Sequence, residues 1–197
     1  ESNLIEQLVL EYNGALGALT VTTPVDRSIM HQGVMNEGVV STMLGSHGIP
    51  DVAEDIAVAR DIFIAEYAKG KLHISSVSTP GAVKMIRDAR KKGVDVTCSV
   101  TPHHLLLDDT LLRDFDTRYK VPPLRTKKHI SALKRAVKDG VVCCIASDHT
   151  PVDIEDKKCE FDRAAFGTVG LQTAFGASWA ALSDTVSIEK MVELLSV

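Results

Sequence analysis

The sequence predicts an α/β fold, built as half of a (β/α)8 barrel. Three observations lead there. Helical and strand patterns alternate along the chain, which opens and closes on helical spacing. The four strand segments are largely apolar rather than alternating, as strands covered by helices are. No GxGxxG follows a strand and no GxxxxGK(S/T) occurs, so the doubly wound phosphate-binding sheets lack their marker. Four βα units make half a barrel, with two open edges, and such a half is expected to pair tightly with something, a homo-oligomer included.

Leu4 to Tyr12 place Leu4, Ile5, Leu8 and Tyr12 on one helical face, and Ala18 to Thr23 form a β run stopped by Pro24. Met30 to Asp51 contain four glycines and little periodicity, and read as a long excursion or loop. Asp51 to Lys69 are the strongest helix, with Asp51 as a cap and Val52, Ile56, Ala59, Ile62 and Phe63 on one face; Gly70 ends it. "KLHISSVS" is the second strand. Pro80 opens a helix closed by basic residues and Gly93. "VDVTCSV" is the third strand, and Asp108 to Phe115 a short helix. Lys127 to Asp139 form a helix closed by Gly140, "VVCCIAS" the fourth strand, and Thr168 to Leu182 a small-residue helix. The 1–197 span reads as one partial barrel domain, a piece of something longer.

Composition excludes several classes. With 22 basic and 26 acidic residues among 197, the net charge is −4, too balanced for a dedicated nucleic-acid binder. At 45% hydrophobic and 24% charged the chain is not disordered, and no apolar run approaches the ~20 residues of a membrane span. Cys98, Cys143, Cys144 and Cys159 lack CxxC spacing, so reduced, cytoplasmic thiols are expected.

In such a barrel chemistry sits just beyond the C-terminal ends of the strands. There Asp148 is the best single candidate, as a metal ligand and proton shuttle or as a loop-ordering aspartate. His103 and His104 are adjacent and read as mainly structural, with at most one inward if the backbone is extended. His73 lies too early in its strand for the mouth and reads as packing or support. His31, His47 and His129 read as surface. Arg125 either holds a carboxylate or closes a turn. The cysteines have no paired His and Asp nearby in sequence, which argues against a thiol nucleophile.

Several stretches, in order, carry a family resemblance: "GIPDVAEDIAVARDIFIA", "STPGAVKMIRDARKKGVDVTCSVTPHHLLLDD", "PPLRT", "DGVVCCIASDHTP" and "EFDRAAFGTVGLQTAF". From about Gly14 to Leu182 the chain resembles dihydroorotase of the amidohydrolase superfamily. The resemblance implies a zinc-dependent (β/α)8 barrel that interconverts dihydroorotate and N-carbamoyl-aspartate in pyrimidine biosynthesis. It also implies that these residues are its strands five to eight, in a protein about twice as long; the family's HxH motif, bridging ligand and small β-domain have no counterpart here. Position by position the chain departs from the family. Where strand five ends in a metal-binding histidine, this sequence has Thr22 or Thr23. The histidine of "HVST" is Ser76. Asp148 is kept as catalytic residue and metal ligand, if any metal is bound, whereas the substrate-contacting histidine beyond it is Val152. The asparagine before "PPLR" is absent, and Phe166 and Gly167 match substrate-contacting backbone.

A hydroxyl is a poor substitute for imidazole on Zn2+. The expectation is a dihydroorotase-like protein with impaired or absent catalysis, a pseudoenzyme that has lost its zinc site. The alternatives are a non-catalytic structural companion of aspartate carbamoyltransferase, and a hydrolase of another cyclic amide or imide with an altered metal site.

Overall fold

The computed structural model describes residues 2–196; the ends of the expected 1–197 domain, Glu1 and Val197, lie outside the described residues. Four parallel strands form the main sheet: β1 (Leu19–Thr22), β4 (Lys71–Ile74), β5 (Val96–Val100) and β6 (Cys144–Ile145), in that spatial order. Between β1 and β4 the excursion carries α2 (Arg27–Met30), β2 (Met35–Asn36), α3 (Val39–Leu44), β3 (Gly48–Ile49) and α4 (Asp51–Ala68). β2 and β3 pair as a separate two-stranded parallel ribbon.

The helices crossing between strands are α4, α5 (Pro80–Lys91) and α7 (Lys127–Lys138), with α6 (Pro102–Leu106) and two 3-10 turns after β5. Helix α1 (Ser2–Ala15) precedes the sheet; α8 (Ile154–Lys157), α9 (Ala174–Leu182) and α10 (Ile188–Ser196) follow it. This is the expected half barrel: parallel strands in chain order, joined by helices on one face.

Pattern explains the placement. Leu72, Ile74, Val96, Cys98, Val100 and Ile145 are buried beneath Ile62, Ile86, Leu133, Leu182 and Leu194 of the helices. Thr79 caps α5 by accepting from the Ala82 N–H, with Pro80 at the first helical position. Thr101 and Pro102 repeat the device at α6. The two histidines therefore lie on a helix rather than on extended backbone. A second small core, of Met35, Val40, Leu112 and Phe161, closes the excursion over the turn after α6.

Four element readings are corrected. In α4 the buried face is Ala53, Ala57, Val58, Ile62 and Ala65, while Phe63 is 70% exposed; small residues let α4 approach the sheet closely, and the bulky ones turn outward. Pro50, not Asp51, occupies the α4 cap, which frees the Asp51 carboxylate for other partners. The last predicted helix starts late, at Ala174, because Thr168 is captured in a bridge with His149. In α1 it is Leu10 that is buried, whereas Leu4, Ile5, Leu8 and Tyr12 are exposed. Among the described residues no helix is long and apolar enough to cross a membrane.

Candidate functional site at the barrel mouth

Every strand of the main sheet except β5 sends its trailing residues directly into one cavity of about 260 Å³. Thr23 enters from β1, Ser75, Ser76 and Ser78 from β4, and Asp148 from beyond β6. Pro122, Pro123 and Arg125 of the segment before α7, Glu54 of α4 and Phe166 complete the wall. Of the two threonines that the resemblance sets at a metal-binding histidine's position, Thr23 lines this cavity. Thr22 pairs in register with buried Ile74, so it sits on the helix-facing side of the sheet, its Oγ1 buried without a partner.

Ser76 (φ 57°) and Asp148 (φ 50°) both adopt the left-handed region. For a non-glycine residue that costs ~1 kcal/mol or more, and such residues cluster at ligand sites. Their surroundings fix them: the Ser76 N–H donates to Ser99 Oγ at 3.2 Å, and Asp148 is followed by the His149–Thr168 bridge. His149 itself is an anchor, its Nδ1 accepting from the N–H groups of Gly170 and Leu171 at 3.2 and 3.3 Å.

The cavity wall rests on Glu54, which sequence reasoning missed. Fully buried in the first turn of α4, Glu54 accepts from the Ser78 and Thr79 N–H groups at 2.8 and 3.0 Å, and from the Ser78 hydroxyl. Arg125 does hold carboxylates, but they belong to this chain: Asp51 at 3.0 Å and Glu54 at 3.7 Å. Its remaining donors go to Ser78 Oγ, Asn36 Oδ1 and the Ile49 carbonyl. Burial pushes the Glu54 carboxyl up, opposed by Arg125 and the Ser78 bonds. His129, read as surface, is instead pinned between Thr126 Oγ1 and Asp51, and its bond holds the Asp51 carboxyl below the usual range.

Beyond Asp148, Phe166 is held from behind by Lys120, whose ammonium lies 4.9 Å from the ring centroid and donates to the carbonyls of Phe161 and Asp162. Gly167 cannot be replaced cheaply: its φ is +127°, and a Cβ there would lie 2.7 Å from the Thr150 carbonyl oxygen. Its N–H is already spent on the Lys120 carbonyl at 2.9 Å, so of the matched pair it is Phe166 that reaches the cavity.

The adjacent histidines divide. His103 is half-buried; burial lowers its pKa while Asp148 opposes the shift. His104 is fully enclosed, accepting at Nδ1 from Thr101 Oγ1 and donating from Nε2 to the Pro122 carbonyl. Burial lowers its pKa from 6.5 to about 4, so it is neutral in the folded state. The unfolded chain therefore binds one more proton between those values. Stability is complete above pH 6.5 and falls as pH drops toward 4, by at most about 3 kcal/mol. His104→Gln, which keeps a donor for Pro122, is expected to flatten that part of the urea-midpoint profile. An unchanged slope between pH 4 and 6.5 would refute the assignment.

The lining residues that this chain supplies do not by themselves fit a zinc site. Zn2+ wants imidazole, thiolate or free carboxylate. Among the described residues of the lining there is no imidazole and no thiol, and Glu54 is consumed by its own hydrogen bonds. Asp148 is left with the hydroxyls of Thr23, Ser75 and Ser76. Those hydroxyls are hydrogen-bonding groups rather than the ligands Zn2+ prefers.

A parallel βα sheet delivering side chains to one mouth at its C-terminal edge is the architecture of a partial (β/α)8 barrel. Its fold matches L-hydantoinase (dihydropyrimidinase) from Arthrobacter aurescens, with TM-score 0.85 and 23% identity over 98% of this chain and 45% of that one. It also matches dihydropyrimidinase from Brevibacillus agri, with TM-score 0.79 and 24% identity over 96% and 44%. In sequence the chain is similar to curated dihydroorotases. It is 45% identical over 178 residues to dihydroorotase of Geobacter metallireducens, covering 90% of this chain and 42% of the relative. Against dihydroorotase of Pelotomaculum thermopropionicum it is 46% identical over 174 residues, covering 88% and 41%. The chain thus spans less than half the length of the curated relatives it matches. No protein-family model matches it.

Proposed function

We propose that the protein is a dihydroorotase-like component of pyrimidine biosynthesis, cytoplasmic, whose mouth no longer hydrolyses the cyclic amide. One observation carries this reading: Thr23 and Ser76 line the cavity beside Asp148 where the family resemblance implies zinc-binding imidazoles. The stretches that carry the resemblance surround these positions, and Ser76 and Asp148 both hold left-handed backbone. A fold retained without its metal ligands serves assembly or ligand binding. Aspartate carbamoyltransferase is the partner that the resemblance suggests.

A second reading, residual hydrolysis on a rebuilt site, is favoured by the intact Asp148 and by Phe166 in the cavity wall. The test is dihydroorotate hydrolysis by the full-length protein with zinc added. The expected result is no turnover, and the same metal content in wild type and Asp148→Ala. Turnover that is abolished both by chelation and by Asp148→Ala would establish the second reading instead.

A further inference from the structure

The sheet has a second face, which the helices do not cover. Register sets it: His73 lies beside Thr97, and Ser99 beside Cys144, while their neighbours Leu72, Ile74, Cys98, Val100 and Ile145 fill the helix side. His73, Thr97, Ser99 and Cys144 therefore share the inner face. Cys143 joins them where β6 begins, its thiol donating to the Cys98 carbonyl at 3.2 Å. The ligand atoms of His73, Cys143 and Cys144 all lie within 4.8 Å of one another. In sequence nothing announces this, since His73 stands two strands before the cysteines; the absence of a histidine near them, expected from spacing alone, is corrected by the fold. None of the three lines the mouth cavity.

We propose that His73, Cys143 and Cys144 form a binding site for a thiophilic d10 cation, Zn2+ in the first instance, on the inner face of the sheet below the mouth. The donor set is the argument. Two thiolates and one imidazole are the ligands zinc prefers, and three protein donors leave one open position. The two Sγ atoms are 3.8 Å apart. A tetrahedral ion with Zn–S bonds of about 2.3 Å holds two sulfurs about 3.8 Å apart, so the pair is already at chelating distance. The imidazole is oriented from behind: Nδ1 is 2.8 Å from Thr97 Oγ1, and Nε2 has only a longer contact, 3.2 Å, to Ser99 Oγ. A hydrogen-bonded second nitrogen is how ligand histidines are fixed in metal sites.

Hydrogen bonding from Cys144, and then from His73, holds the Cys143 thiol well below its ordinary range, while the same pairing pushes Cys144 up. Binding displaces the protons of both thiols. All four cysteines are free, so no disulfide competes within this chain. The site stands independently of whether the mouth hydrolyses anything.

The experiment is titration of the metal-stripped, reduced full-length protein with Co2+ and then Zn2+. The expected result is one equivalent of Co2+ with a thiolate-to-metal charge-transfer band, bleached by one equivalent of Zn2+. Cys144→Ser is expected to lose the band and to weaken binding by at least 10-fold, whereas Cys159→Ser and Asp148→Asn keep it. The Asp148→Asn control separates this site from the mouth. A band that survives Cys144→Ser, a band that depends on Asp148, or no band at all overturns the proposal. Should Cys144→Ser fail to fold, the native protein still decides: Zn2+ protects two thiols from a disulfide reagent if the site exists, and none if it does not.

Discussion

Glu54→Ala is expected to lower the stability of the full-length protein by about 3 kcal/mol, more than any exposed substitution in the chain. The reason is what remains after the carboxylate is removed. Arg125 stays buried at 3% side-chain exposure, with Asp51 as its one carboxylate, and the Ser78 and Thr79 N–H groups lose their acceptor. Unsatisfied buried donors cost about 1–3 kcal/mol each, and an orphaned buried charge more. Because burial already pushes the Glu54 carboxyl up despite its partners, the ion pair itself gives little net stability. Replacing both ends with apolar groups, as in Glu54→Leu with Arg125→Met, should recover most of the loss. Denaturant midpoints for the two singles and the double form the thermodynamic cycle. A Glu54→Ala loss under 1 kcal/mol would show that the network is ornamental. The same lesion should loosen the cavity wall, since Ser78 stands two residues from Ser76.

How much of this was legible follows from sequence separation. The strands and their order were readable because each is an apolar run bounded by glycine or proline, and parallel βα units leave few topologies. The cap of α6 was equally present in "TPHH", where Thr101 and Pro102 repeat the Thr79–Pro80 device, yet adjacent histidines suggest an extended mouth. The excursion defeated periodicity because β2 and β3 are two residues each, too short to show a period. At the mouth, Ser76, Asp148 and Phe166 were found because each follows a strand or a motif. Glu54, Lys120 and His129 were not, because their partners lie 24, 41 and 78 residues away. Thr22 against Thr23 was undecided for a related reason: a period of two says that only one faces the mouth, and the pairing of Thr22 with Ile74 is what says which.

Placing two imidazoles at the mouth should create a metal site there but not the family's chemistry. Thr23→His with Ser76→His, made in a Cys143→Ser/Cys144→Ser background, is expected to give Zn2+ binding at the mouth at least about 100-fold tighter than in that background alone. Both positions already line the cavity with Asp148, so two imidazoles and a carboxylate meet there, the donor set of an open three-ligand zinc site. The backbone accepts the change, for Ser76 is left-handed already and histidine is among the residues that tolerate that region. At a Zn2+ concentration 100 times the new Kd, the folded state gains about 2.7 kcal/mol, which a thermal melt reads directly. Asp148→Asn should erase the gain; if it does not, the ion sits elsewhere. Dihydroorotate hydrolysis should stay far below that of an intact homologue, because Val152 stands where the resemblance implies a substrate-contacting histidine, and Gly167 has already given its N–H to Lys120. Full turnover in the double-histidine variant would mean that the two imidazoles alone were lost. Metal without turnover would mean that the mouth has been rebuilt around a different task, with ligand contacts diverging along with the metal site.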